Sequence, residues 1–173
     1  EEKDKFLKGL GSLAFYLLIT IITIKPVIEI LSLKKLRKYL VFRRELGIIT
    51  FYTALFHGFY LYSISGYNLN ITYSLILSNS GLIFGFLALI ILFVLFLTSN
   101  DYSVKLLKKN WKRIQRLVYL VPFLILLHLI FLDIKEIYKY LVLVLVYYLL
   151  KLLEILNIKI NLKKFFTKKS NES

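Results

Sequence analysis

The sequence predicts an all-α integral membrane protein, a helical bundle of about five transmembrane helices. Three observations point there. Of 173 residues, 58% are hydrophobic, and the mean hydropathy is +0.71. The apolar residues fall into runs long enough to cross a hydrocarbon core of ~30 Å at ~1.5 Å per helical residue. The 24 Lys and Arg, against 10 Asp and Glu, lie between those runs. A net charge of +14 in one domain-sized chain would otherwise suggest nucleic acid, but basic residues placed this way read as membrane topology.

Helix A runs from Leu7 to Ile24, with a continuation through Lys25 and Pro26 to Leu33 left open. Helix B, Leu46 to Ile64, is free of Asp, Glu, Lys and Arg yet contains His57. Helix C is Gly81 to Thr98 and helix D is Leu117 to Ile134. Helix E, Tyr138 to Leu156, has Lys151 and Glu154 in its last turns, where long side chains snorkel to an interface. Residues 1–156 form the bundle and 157–173 a basic tail.

The loops orient it. Six basic residues lie between A and B (Lys34, Lys35, Arg37, Lys38, Arg43, Arg44), six between C and D, and six from Lys151 onward; the stretch from Gly66 to Ser80 has none. By the positive-inside rule both basic loops and the C-terminus are cytoplasmic, and the B–C connection lies outside. The C–D connection reads as a helix capped by Asn100 or Asp101, with Val104, Leu107, Trp111 and Ile114 on one face. It either lies on an anionic membrane surface with Trp111 among the headgroups or runs straight into D.

Cys is absent, which excludes disulfides, thiolate metal sites, iron–sulfur clusters and cysteine catalysis. Met is absent too, even at the start, so the chain is expected to be trimmed or to begin late. There is no secretory cleavage pattern and no internal repeat. That leaves His57 and His128 as the borderline metal ligands.

Each of these histidines stands eleven residues past the start of its helix, and B and D run in the same direction. The two imidazoles therefore reach one depth, ~16 Å from the cytoplasmic helix ends. Neutral imidazole is a common ligand of heme iron, and small side chains at Thr50, Thr53, Ala54 and Gly58 leave room beside His57. Two imidazoles underfill a tetrahedral Zn or Cu site, so the pair points to heme rather than a bare metal. The competing account is that each His only hydrogen-bonds across helices. Arg43, Arg44, Lys112 and Arg113 could hold phosphate or heme propionates, and they equally fit the positive-inside pattern.

The stretches "RRELGIITFYTALFH", "LTSNDYS", "WKRIQRLVYL" and "LLHLIFL", with "GSLAFYLLITIITIKP" ahead of them, resemble the ferric reductase-like transmembrane domain family. Within it they are most similar to the heme-binding membrane subunits of bacterial protein-methionine-sulfoxide reductase systems. The resemblance covers about residues 11 to 135. It implies b-type heme on His57 and His128; Thr53, beside His57 on helix B, and Arg43 and Arg44, by their charge, are the other cofactor-binding candidates. It also implies a bacterial inner (plasma) membrane location and a role as electron-transfer subunit rather than catalytic subunit. The implied partners are a cytoplasmic flavin reductase or quinol as donor, with FMN or quinone at the inner step, and a periplasmic molybdenum-dependent reductase as acceptor.

Two departures stand out. Where the family has a second His at the entry to D this chain has Gln115, ~20 Å from His128 along a helix, so a second, cytoplasmic-side heme is expected to be weakened or lost. The family's first helix, ahead of A, is expected to be missing. A stand-alone ferric or quinone-linked reductase and a heme-free membrane scaffold or transporter subunit remain alternatives. Three weaker signals are the Gly81-x-x-x-Gly85 pair, read as a close helix contact, the Asn70-Ile71-Thr72 sequon, and Pro122, expected to kink D.

Overall fold

The computed structural model describes residues 2–159, and the side chains of residues 5–159. The last fourteen residues, which hold Lys163, Lys164, Lys168 and Lys169 of the expected tail, lie outside the described part.

The described residues fold into helices and turns. The five long elements are α1 (Glu2–Ile30), α2 (Arg43–Ile64), α4 (Ser80–Leu97), α7 (Val121–Phe131, led in by shorter helices) and α8 (Ile137–Ile155). Around the bundle the order is α1, α2, α4, α7, α8, and α8 packs back on α1 to close the ring. The pieces between are α3 (Leu69–Ser78), α5 (Asp101–Leu107) and α6 (Lys109–Gln115), with 3-10 turns at Lys34–Phe42 and Arg116–Tyr119.

Three helices, Lys5–Ile30, Ser80–Leu97 and Lys109–Phe131, are long and apolar enough to span a membrane on length and composition alone. The 22-residue α2 is diluted by His57 and its Tyr and Thr side chains, and the 19-residue α8 by Lys139, Lys151 and Glu154. The interior is filled by Phe15, Leu18 and Ile22 of α1, Phe51 of α2, Leu92 and Leu95 of α4, Val121 and Leu124 of α7, and Val144 and Tyr147 of α8. Large apolar side chains such as Phe56, Phe59, Leu145 and Leu149 stay exposed on the outside. A water-soluble monomer rarely exposes so much contiguous apolar surface, and a bundle in lipid needs it.

The helix ends show how a chain with only seven glycines stops its helices. Ser32, Asp133 and Asn157 adopt left-handed backbone conformations with φ of 54°, 51° and 55°. After each, the next N–H bonds back five residues: Leu33 to Ile28, Ile134 to Leu129, Ile158 to Leu153. These are Schellman-type ends, in which Asp and Asn tolerate the left-handed region better than most residues.

Four expectations need correction. The B–C connection is not only a loop, because Asn68 caps an apolar helix, α3, by accepting from the N–H groups of Asn70 and Ile71. The C–D connection is not one continuous helix. It breaks at Lys108, whose φ of 48° and ψ of −119° no helix accommodates, so Val104 and Leu107 belong to α5 while Trp111 and Ile114 belong to α6. Trp111 also has a protein partner where headgroups were expected: its indole N–H donates to the Thr98 carbonyl at 2.8 Å. Helix D is regular only from Val121. Pro122 has no N–H for the Val118 carbonyl and its ring crowds that oxygen, so the turn before it tightens to 3-10.

Candidate functional site: a facing histidine pair

The bundle has a basic end, formed by the C-terminal ends of α1, α4 and α8 with α5, α6 and the start of α2, and an opposite end that carries α3 and the starts of α1 and α8. His57 and His128 belong near the second. His57 lies fourteen residues, ~21 Å, past Arg43 and seven before Ile64, while His128 is three residues short of the end of α7. Their ring centroids are 6.4 Å apart with the planes at 87°.

Both rings are anchored in the same way. His57 Nδ1 is 3.0 Å from the carbonyl oxygen of Leu7 on α1, and His128 Nδ1 is 2.7 Å from the carbonyl oxygen of Gly81 on α4. A carbonyl can only accept, so each Nδ1 carries the proton and donates. In a neutral imidazole the other nitrogen, Nε2, then holds a free lone pair. The pair therefore presents two ligating atoms of fixed tautomer, each oriented by a backbone acceptor on a neighbouring helix.

Among the described residues no three His, Asp or Glu side chains gather as a metal-binding group. Two imidazoles with no carboxylate at their level do not complete a bare metal site. They suit a metal that arrives with four ligands of its own and needs one above and one below.

Thr53, one turn before His57, spends its hydroxyl on the Ile49 carbonyl at 2.9 Å. The structure does not bring Arg43 or Arg44 to the histidines. Arg43 Nε donates to the Ile21 carbonyl at 3.1 Å, while Arg44 donates to the Ser99 carbonyl at 2.7 Å and pairs with Asp101 at 2.9 Å. Lys112 and Arg113 line a surface hollow with Lys108, Lys109 and Arg116 at the basic end. Gln115 is engaged as well, its amide donating to the Thr98 hydroxyl at 2.9 Å.

Sequence reasoning missed the two carbonyls that hold the rings. Backbone groups carry no residue signature, and only the sequence neighbours Gly11 and Gly85 hinted at close approach. It also missed Glu154 as a half-buried hub at the basic end. The Glu154 carboxylate meets Lys25 from α1 and Lys151 from its own helix, each at 2.7 Å.

Comparison with known proteins agrees with this architecture. Residues 9–132 match the family model described as ferric reductase like transmembrane component. The chain is 33% identical over 115 residues to the protein-methionine-sulfoxide reductase heme-binding subunit MsrQ of Brucella ovis, covering 66% of this chain and 50% of that protein. It is 32% identical over 112 residues to the protein of the same name from Brucella anthropi, covering 64% and 48%. The chain thus spans about half the length of the curated relatives it matches. No solved structure matches it. With the family match extending over most of the bundle, from α1 through α7 and the histidine pair, the chain belongs to the ferric reductase like transmembrane component family, as a multi-pass helical membrane protein.

Proposed function

We propose that the chain binds one b-type heme between α2 and α7, with His57 and His128 as axial ligands, and serves as a one-electron carrier in the membrane. The carrying observation is the histidine geometry. Two metal–nitrogen bonds of ~2 Å, plus ~1 Å from each nitrogen to its ring centre, put opposed axial imidazoles ~6 Å apart. The rings here are 6.4 Å apart, and both keep Nε2 free. The relatives named as heme-binding subunits support the same cofactor.

Bound there, the heme would take up and release single electrons as its iron changes between ferric and ferrous. The chain's residues bind and orient it. The Leu7 and Gly81 carbonyls fix the ligand tautomers and make the imidazoles better electron donors. Phe84, next to Gly85, and Phe131, one turn past His128, stack at 5.5 Å and keep that side of the site apolar. Such burial and ligation set the iron's potential, so the protein supplies position rather than acid–base chemistry.

The absence of charged residues from Gly66 to Ser80 supports a reading with the heme toward the outer face of a bacterial inner membrane and the basic end and the C-terminus in the cytoplasm. Electrons would then leave outward to a reductase for oxidised methionine, a molybdenum enzyme by resemblance. They would enter from a flavin reductase, FMN or quinol at the basic end. The test is a reduced-minus-oxidised spectrum of the detergent-purified protein with heme quantified. Wild type should show a sharp b-type band at about one heme per chain, and His57→Ala and His128→Ala should each lose it. A colourless wild type expressed with ample heme would leave the imidazoles as contacts between helices, as in a heme-free scaffold.

A further inference from the structure

Resting on that reading, the geometry points to Gly11 and Gly85 as positioning residues that seat the two imidazoles in matching backbone cradles and hold their planes crossed. His57 bonds to the carbonyl of Leu7, and the residue one helical turn on is Gly11. His128 bonds to the carbonyl of Gly81, and the residue one turn on is Gly85. In an α-helix the N–H at i+4 pairs with that same carbonyl, so a side chain there would stand beside the approaching imidazole.

Space confirms the need for glycine at both positions. A Cβ on Gly11 would come within 2.9 Å of His57 Cε1 and 3.1 Å of its Nδ1. A Cβ on Gly85 would come within 2.6 Å of His128 Nδ1 and 2.8 Å of its Cε1. Each ring could escape only by leaving its carbonyl or turning about its own axis. The Gly81-x-x-x-Gly85 pair therefore serves two contacts. At Gly81 a Cβ would meet Leu132 and the His128 backbone oxygen, which is helix against helix; at Gly85 it would meet the imidazole. Gly9 and Gly47 are free of such contacts: a Cβ on either would meet nothing within 4 Å.

The two cradles lie on different helices, α1 and α4, and the rings they hold stand at 87°. Crossed axial imidazoles give a low-spin ferric heme a highly anisotropic electron paramagnetic resonance signal with one dominant large g value, whereas parallel planes give an ordinary rhombic spectrum. Weakening a carbonyl bond to Nδ1 makes the ligand a poorer donor, which favours ferrous iron and raises the midpoint potential.

The experiment records that spectrum and the midpoint potential for the purified heme-loaded protein, for Gly11→Ala and Gly85→Ala, and for Gly9→Ala and Gly47→Ala as controls, with helix content and melting followed by circular dichroism. We expect the large-g signal in wild type and controls. Gly85→Ala should shift it toward a rhombic spectrum and raise the potential most, and Gly11→Ala less, in keeping with the closer contact at Gly85. Heme lost from either variant while its melting matches the controls also supports the cradle. Heme retained with control-like spectra and potentials in both variants overturns the inference and leaves the proposed function standing. So does a parallel-plane spectrum in wild type, which decides the matter even where a variant fails to fold. Absence of heme from wild type instead overturns the proposed function.

Discussion

Two stations along one stretch of chain, Gln115 and His128, differ in what their polar atoms do. Gln115, at the basic end, donates its amide to Thr98, and its neighbour Trp111 donates to the Thr98 carbonyl. Around them Arg44 pairs with Asp101, and Glu154 sits between Lys25 and Lys151. At the other station His128 satisfies one ring nitrogen with a backbone carbonyl and leaves the other free, opposite a second histidine in the same state. Polar groups inside a membrane bundle are costly unless paired. Gln115, Trp111, Arg44 and Glu154 are paired and read as construction, while the histidine pair holds ligating atoms in reserve and reads as a site.

That contrast breaks if the basic end proves indispensable to the heme. Glu154→Gln should have the largest effect on stability. It leaves Lys25 and Lys151 facing each other without the carboxylate, whose side chain is only 11% exposed, and should cost about 2 kcal/mol. Thermal melts in detergent should fall while heme per chain stays at the wild-type value. A loss of heme in step with the melting point would show the two ends to be one unit.

Tyr147 offers a change of opposite sign. Its ring is fully buried between Tyr119 and Tyr148, and its hydroxyl has no hydrogen-bond partner. Removing that oxygen in Tyr147→Phe should stabilise the bundle by about 1 kcal/mol, read as a higher melting temperature. A destabilised variant would mean that the hydroxyl has a use in the membrane.

Gln115→His sharpens the comparison most directly, and its expected effect is the smallest. It restores the residue type that the family resemblance expects at the entry to the helix, but Arg43 on the facing helix is tied to Ile21 and offers no second imidazole. Heme per chain should stay unchanged, with a stability loss of about 0.5 kcal/mol for the broken Thr98 bond. A rise to two hemes per chain would show that the basic end needs only one residue to become a second site.

Much of this was legible beforehand because membrane insertion writes itself into composition. The apolar runs at Leu46–Ile64 and Gly81–Thr98 anticipated α2 and α4 within a few residues, since a helix that must face lipid can hide few charges. The basic loops could be counted for the same reason. The α3 helix was harder to read, because at ten residues it is too short to span and its uncharged stretch looks like any outer loop. The break at Lys108 was illegible, since the apolar spacing of Val104, Leu107 and Trp111 runs across it without a Gly or Pro to mark it.

For the site, the sequence by itself determined the ligating residue types and their register. With no Cys and two His on helices running the same way, little else was available to hold a metal. Only the tertiary structure decided how those rings are held. Carbonyls belong to every residue, so which ones face His57 and His128, at which angle, and with which glycines beside them follows from how α1 and α4 pack against α2 and α7. It also decided what the arginines at the start of α2 touch, since the Ile21 carbonyl that Arg43 meets and the Ser99 carbonyl and Asp101 that Arg44 meets come from other helices and connections.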